Sequence, residues 1–382
     1  MNRRYKARQK TVAVVCLSLL MTMISVPLCS SCRLFGIKVP RSEKPASDDL
    51  LLFSYGGVYS IRTDGSGLKI LGGIRRGERS RNFLPIFSPD RRTIALLSTE
   101  GERSYYEEGA WDYNDLKGEI WLMDAEGKNS TKLASLFYQG VIGSDDFSMT
   151  WSPDGEKIYW VEGRGSGKLH SVDMNGNRRT IEDESEETGR LFAISISPDG
   201  KRIAYSPYID EEEQPEEGSI ILRDLLDDRL GEPKIVYKTP STDFEIDGSI
   251  VWVSNEEILF IENEMREIEW KRGVRGIRRK PYISTIWKLN IGSGEKETIY
   301  RTEPWEVFGD LAISPDRDAV AFLYWTEGEM YYHWEQDKAP RPAVLNLETG
   351  ELRKIEIPAK TPPLGEYFTD NEPITDLNWS SP

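Results

Sequence analysis

Beyond residue 32 the chain contains no cysteine: its three, Cys16, Cys29 and Cys32, all fall in the first 32 of 382 residues. A disulfide framework or a cysteine-based metal site is therefore excluded from the body. Histidine is almost as scarce. His170, inside a stretch read as a strand, and His333, in a stretch read as a loop, are the only two, so Ser-His or Cys-His nucleophilic machinery has almost nothing to draw on and a His-rich metal site is excluded. No Gly-x-Ser-x-Gly elbow occurs. Residues 163–168 imitate a phosphate loop only superficially, because Glu162 stands at the first Gly position and Leu169 at the Ser/Thr position. Positive charge is in deficit too: 49 Lys+Arg face 64 Asp+Glu, a formal −15, and losing the first 31 residues, with five basic side chains and no acid, would leave −20. Phosphate backbones repel such a polyanion, which argues against nucleic acid as a partner. No cofactor is implied.

What the amino terminus does contain is a basic stretch over residues 1–10, an almost uninterrupted apolar run from Thr11 to Leu28, and Ser30-Ser31-Cys32. That is the grammar of an export signal. Its ending resembles a bacterial lipobox, in which small residues precede a cysteine that is lipidated and becomes the new amino terminus. The departure is Cys29 where that pattern usually has Leu, with Leu28 one place early. A signal peptide over residues 1–32 with lipidation at Cys32 is expected. A type I signal peptidase site or a retained anchor helix stays open, since the apolar run is close to the minimum bilayer span. Residues 33–47 read as a polar, Pro-containing tether. The chain is expected to be exported to a bacterial cell envelope, on the periplasmic or cell-surface side, and held there by a lipid anchor or anchor helix.

From Asp48 onward there is no sustained helical periodicity, but one phrase recurs: PIFSPDRRTIALLS at 85–98, MTWSPDGEKIYWVE at 149–162, ISISPDGKRIAYSP at 194–207 and LAISPDRDAVAFLY at 311–324, with a degenerate copy at 250–263. Each reads as an apolar strand, a Ser-Pro-Asp turn and an alternating strand. Proline presets φ and the aspartate bonds nearby backbone NH groups, so these aspartates are read as structural. A second hairpin follows each phrase, and six such hairpins imply six four-stranded units. The sixth phrase is found at the end of the chain, ITDLNWSSP at 374–382, and its missing partner is DLLLFSY at 49–55. The two ends must meet. The expected fold is an all-β, six-bladed β-propeller over residues 48–382, closed by pairing of the N- and C-terminal strands so that no sheet edge is left exposed.

These phrases resemble the TolB-type propeller repeat, related to WD repeats, whose blade signature is W/F-S-P-D-G followed by I-A and a strand ending in an aromatic or apolar pair. The resemblance covers about 335 residues, 48–382. It implies a propeller and no particular function, since such repeats serve many roles. TolB itself carries an additional α/β domain for which the short tether leaves no room.

The serines of the phrase (Ser88, Ser152, Ser197, Ser254, Ser314, Ser380) are spaced by 64, 45, 57, 60 and 66 residues, against roughly 40–45 for a compact blade. The surplus falls in 100–117, 208–217, 263–283 and 325–341, read as second-to-third strand connections, and in 358–373, so the elaborations gather on one face. Its binding candidates are Trp111, Trp270, Trp325 and Trp334, with Arg275 and Arg278 from a basic segment suited to an acidic partner. Carboxylates expected at the channel mouth are Asp146, Asp310 and Asp376, each just before a first strand. Asp310 and Asp376 both lie four residues ahead of an anchor serine, where they would converge on a cation, act as an acid/base pair, or cap a strand. The function expected on these grounds is a non-catalytic binding or scaffold propeller that engages an envelope protein or polymer through the long-segment face. The alternative is a propeller enzyme acting on carbohydrate with the channel carboxylates.

Overall fold

The computed structural model describes residues 37–379 except 55–56, 73–80, 101–103, 106–110, 113–116, 137–146, 163–167, 183–189, 209–216, 271–275, 327–340 and 358–374. Among the described residues every regular element is a β-strand, and no helix is long and apolar enough to cross a membrane. The strands form antiparallel sheets, mostly of four, in a propeller-type arrangement. The first sheet joins Thr375–Asn378 to Leu50–Ser54, Val58–Arg62 and Lys69–Gly72. The second runs Arg81–Phe87, Thr93–Glu100, Lys117–Asp124, Thr131–Ser135, and the third Phe147–Trp151, Lys157–Glu162, Lys168–Asp173, Arg178–Glu182. A fourth begins with Arg190–Ile196 and Arg202–Tyr208. An eight-stranded sheet divides at one parallel contact, Ile283 to Glu306, into a group led by Phe244–Trp252 and another led by Glu306–Ile313.

The alternation of each strand distributes its side chains to two cores. Leu51 and Phe53 pack with Ala321 and Leu323, whereas Leu52 between them packs with Phe87 and Ile94. Ile203 and Tyr205 likewise join Tyr159 and Leu169, while Ala204 joins Ile258 and Phe260. Strands buried on both faces read as continuous apolar runs, which is why DLLLFSY and EILFIEN carry so little polar alternation. Two further clusters put Ile86 and Leu97 against Met149 and Trp160, and Leu259 and Ile286 against Phe322 and Leu345. Each such side chain contributes about 1.5–3 kcal/mol when fully buried.

The Ser-Pro-Asp turns use one bonding scheme. Ser88, Ser152 and Ser197 donate through Oγ to Oδ1 of Asp90, Asp154 and Asp199, each at 2.6 Å. The same hydroxyls accept from the backbone NH of Thr93, Lys157 and Arg202 at 3.1, 2.9 and 3.0 Å. The fourth residue of the turn is left-handed: Gly155 and Gly200 have φ of 69° and 72°, and Arg91 and Arg317 take the same place at 55° and 63°. Adjacent sheets are tied by a recurring indole bond, Trp151 Nε1 to the Ile86 carbonyl (3.4 Å) and Trp252 Nε1 to the Ser195 carbonyl (3.2 Å).

Two expectations about connections change. Residues 37–46, inside the stretch read as a tether, are packed: Ser42 N donates to the Arg92 carbonyl (2.9 Å), Ala46 N to the Arg91 carbonyl (2.8 Å), and Thr93 Oγ1 to the Pro40 carbonyl (2.7 Å). Ile37 and Val39 lie on the core around Ile86, which makes this segment a strap. Residues 263–270 and 276–283, inside a stretch read as a strand connection, instead prolong two paired strands, Glu257–Trp270 and Gly276–Asn290. Their alternation supports continued pairing, and Arg266 covers the Tyr282 ring at 4.0 Å.

Candidate functional site

Five of the six strands that lead the sheet groups are interrupted at one place. In Arg81–Phe87, three steps from Phe83 to Ile86 oppose two from Leu97 to Ala95. The same bulge occurs between Phe192 and Ser195, between Gly309 and Ala312, and in Thr375–Asn378 opposite Leu52–Ser54. The strand Phe244–Trp252 bulges between Ile246 and Ile250, while Phe147–Trp151 pairs without interruption. Three of the bulges are made by non-glycine residues in left-handed backbone, Leu84 (φ 49°), Ala193 (46°) and Asp310 (55°). That conformation costs roughly 1–2 kcal/mol per residue. Bulges re-aim side chains and gather beside functional sites. A freed NH finds a neighbour: Ile194 N donates to Ser148 Oγ at 3.0 Å, from the uninterrupted strand.

All six leading strands line one cavity of ≈ 190 Å³, through residues such as Phe87, Trp151, Ile196, Trp252, Ile313 and Asn378. The bulged residues stand on the side of this lining away from the Ser-Pro-Asp turns. Asp310 lies inside the strand Glu306–Ile313, and Asp376 inside Thr375–Asn378, so both correct the expectation of carboxylates ahead of the strands. Asp310 is half-buried, and Asp310 and Asp376 hold the same position, each within a bulge. Their strands share one core through Ala312, Leu377 and Trp379. Asp146 lies outside the described residues. Among the described residues no group of three or more His, Cys, Asp or Glu is arranged to hold a metal ion.

The long-segment candidates are placed by backbone. Trp111 pairs with Tyr105 in a two-stranded ribbon, Trp270 pairs with Gly276 and Arg278 with Ile268 in the long hairpin, and Trp325 pairs with Val307. Arg275, Trp334 and Cys32 lie outside the described residues.

Reading the sequence missed Arg91. Only 4% exposed, it donates from Nη2 to the carbonyls of Ser47 (2.6 Å) and Leu50 (3.3 Å), from Nε to Ala46 (3.3 Å), and from Nη1 to Trp379 (3.1 Å). One guanidinium thus holds both the strand that begins the first sheet and the segment that ends the chain. Asn378 adds a bond from Phe87 N to its Oδ1 (3.3 Å), and Trp379 Nε1 donates to the Asp48 carbonyl (2.6 Å). The one available signal was an arginine in the glycine position of the turn.

No protein-family model and no curated protein matches the chain. Among solved structures it is similar to a puromycin hydrolase (14% identity over 84% of this chain and 46% of the other, TM-score 0.48). It is also similar to a puromycin-hydrolyzing peptidase of Mycobacterium tuberculosis (16%, 84% and 47%, TM-score 0.47). A third is an oligogalacturonate lyase in complex with manganese (13%, 83% and 74%, TM-score 0.43). The chain spans about half the length of the puromycin hydrolase and of the puromycin-hydrolyzing peptidase. These neighbours are enzymes, so the expectation of a non-catalytic protein is corrected. TM-scores below 0.5 transfer neither a residue role nor a substrate.

Proposed function

We propose that the chain is an exported six-bladed propeller of TolB-like type that binds a carbohydrate polymer of the bacterial envelope and acts on it with carboxylates of its axial channel. The observation that carries this reading is the pair Asp310 and Asp376, set at equivalent bulges in two strands that share a core and border one cavity. A backbone strained at φ 55° to present a carboxylate is the kind of local cost that function retains. In the proposed role one carboxyl gives a proton to the leaving oxygen and the other activates water, their separation deciding the stereochemical outcome. Asp146 would border the same channel.

Closure into six blades is part of the proposal. It is supported by the pairing of Thr375–Asn378 with Leu50–Ser54, by the Arg91 clasp, and by cores that run from each sheet group to the next and from the last to the first. Trp111, Trp270, Trp325 and Trp334 would stack on sugar faces, with Arg275 and Arg278 pairing with acidic groups. Lipidated Cys32 would hold the protein at its membrane.

The test is release of new reducing ends from envelope glycans by the purified chain. Asp310→Asn and Asp376→Asn are each expected to slow release by at least about 100-fold while co-sedimentation with the polymer persists. Full rates in both variants, or no release by the unmodified protein from any envelope glycan, would refute the reading.

A further inference from the structure

Two local costs meet at the head of Glu306–Ile313, the strand that carries Asp310. The first is a turn over residues 303–306, closed by Glu306 N donating to the Glu303 carbonyl at 3.1 Å. Pro304 takes its second place and Trp305 its third, at φ 70°. A left-handed third place is ordinarily filled by glycine or asparagine, and a bulky residue there is an outlier. Trp305 N donates to the Tyr282 carbonyl at 2.7 Å, and the two rings meet edge to face with centroids 4.8 Å apart. Trp305 stays half-buried, so full burial of the indole does not offset the strain. The second cost lies in the register of Glu257–Trp270 and Gly276–Asn290, which sets Arg266 directly opposite Lys280. Like charges so placed destabilise a strand pair. The exposed Arg266 guanidinium covers the Tyr282 ring at 4.0 Å, and among the described residues no carboxylate pairs with it. Glutamates of the adjoining segments hold other cations, Glu264 with Arg301 at 3.1 Å and Glu306 with Lys354 at 3.5 Å.

We infer that Arg266, Tyr282 and Trp305 form a subsite for an acidic sugar, the sugar's carboxylate on Arg266 and its ring against Trp305. The inference rests on the carbohydrate reading and narrows it to a carboxylated polymer. A guanidinium is the side chain best matched to a carboxylate, and one laid on an aromatic ring keeps its N–H edge for a ligand. An indole supplies a large, rigid apolar face for the sugar. The negative charge of the whole chain does not oppose this placement. Residues 266–280 carry seven Arg and Lys against two Glu, and charge farther away than about 8 Å is screened at physiological salt. None of the three residues lines the channel cavity. Trp305 precedes the bulge at Asp310 on the side away from the Ser-Pro-Asp turns, which puts the subsite on the same side as the bulged carboxylates.

The experiment is calorimetric titration of the full chain with an alginate tetrasaccharide, the same tetrasaccharide carboxyl-reduced to a neutral form, and octaglutamate. The acidic saccharide should bind at least about tenfold more tightly than the neutral one, the preference that a hydrogen bond to a charged group supplies. Arg266→Gln should abolish that preference and keep the melting temperature. Trp305→Gly, which gives the turn the residue its backbone favours, should melt no lower than the parent and bind the acidic saccharide about tenfold or more weakly. That pattern supports the subsite whether or not reducing ends are released, since the release assay judges the channel carboxylates by themselves. Equal binding of the acidic and neutral forms would overturn the inference and leave a carbohydrate reading in place. A preference that survives Arg266→Gln, parental affinity in Trp305→Gly, or tighter binding of octaglutamate would also overturn it. So would no binding of either saccharide at about 10 mM, a concentration that marks very weak affinity.

Discussion

At Arg91 the turn gives up the glycine that a φ of 55° favours, and the side chain it gains is buried against four carbonyls. Arg91→Gly relieves about 1 kcal/mol of backbone strain but leaves those carbonyls without their cation. A net loss of about 2–4 kcal/mol in urea unfolding is expected, and a variant that unfolds with the parent would dismiss the clasp. Two turn aspartates, Asp199 and Asp90, contribute to the acid behaviour. Burial raises the pKa of Asp199, but the Ser197 hydroxyl, the Lys201 amide and the charges of Arg202 and Lys201 outweigh it and hold the carboxyl below its ordinary range. Asp90 is held down in the same sense by Ser88 and Arg41. A folded-state pKa below the unfolded one means stability that is complete above about pH 4 and lost as pH falls through the folded value. Asp199→Asn should therefore weaken the protein near neutrality and flatten its acid limb in a pH series of unfolding midpoints. An unchanged acid limb would show that the turn carboxylates do not drive acid unfolding.

In the fourth sheet the connection between Ser219–Leu226 and Lys234–Lys238 acts as a bridge. Asp227 and Asp228 both take left-handed backbone (φ 52° and 56°), which aspartate tolerates better than most residues. The Asp228 side chain, 5% exposed, meets Lys157 at 2.7 Å, Tyr159 Oη at 3.1 Å and Arg179 at 3.4 Å, all on the third sheet. Burial first, and then this carboxylate, push the Tyr159 phenol well up from its ordinary pKa. Removing one member of a buried pair leaves the rest uncompensated. Asp228→Ala should cost about 2–3 kcal/mol, and Asp227→Ala much less, by thermal melts of the two proteins side by side. Equal losses would mean that the turn conformation, not the ion pair, is what matters.

At the scale of the molecule, much was legible because the turn phrase is chemically strict. Ser, Pro and Asp each have a bonding reason to recur, and the apolar runs on either side follow from strands buried on both faces. The equivalence of Asp310 and Asp376 was also legible, as a spacing from the anchor serine. Their placement inside strands was not, because a bulge leaves no mark when its left-handed residue is Leu84, Ala193 or Asp310 instead of glycine. The strap over residues 37–46 escaped notice because its hold depends on backbone carbonyls of Pro40, Arg91 and Arg92, which any side chain would supply. The long hairpin was hidden by its charge: six arginines and lysines in 271–280 read as a solvated loop, although the pairing of Glu267 with Arg279 suits a ribbon.

Both the proposed channel and the cavity require the ends of the chain to complete the same sheet. Hydrogen exchange of the backbone amides over residues 50–54 measures this most directly. In the intact chain these amides should exchange only through global unfolding, like the central strand Thr93–Glu100. After deletion of residues 374–382 their protection should fall by several orders of magnitude, while Lys168–Asp173 on the third sheet stays protected. Rapid exchange of residues 50–54 in the intact chain, or protection that survives the deletion, would contradict a ring closed by its two ends.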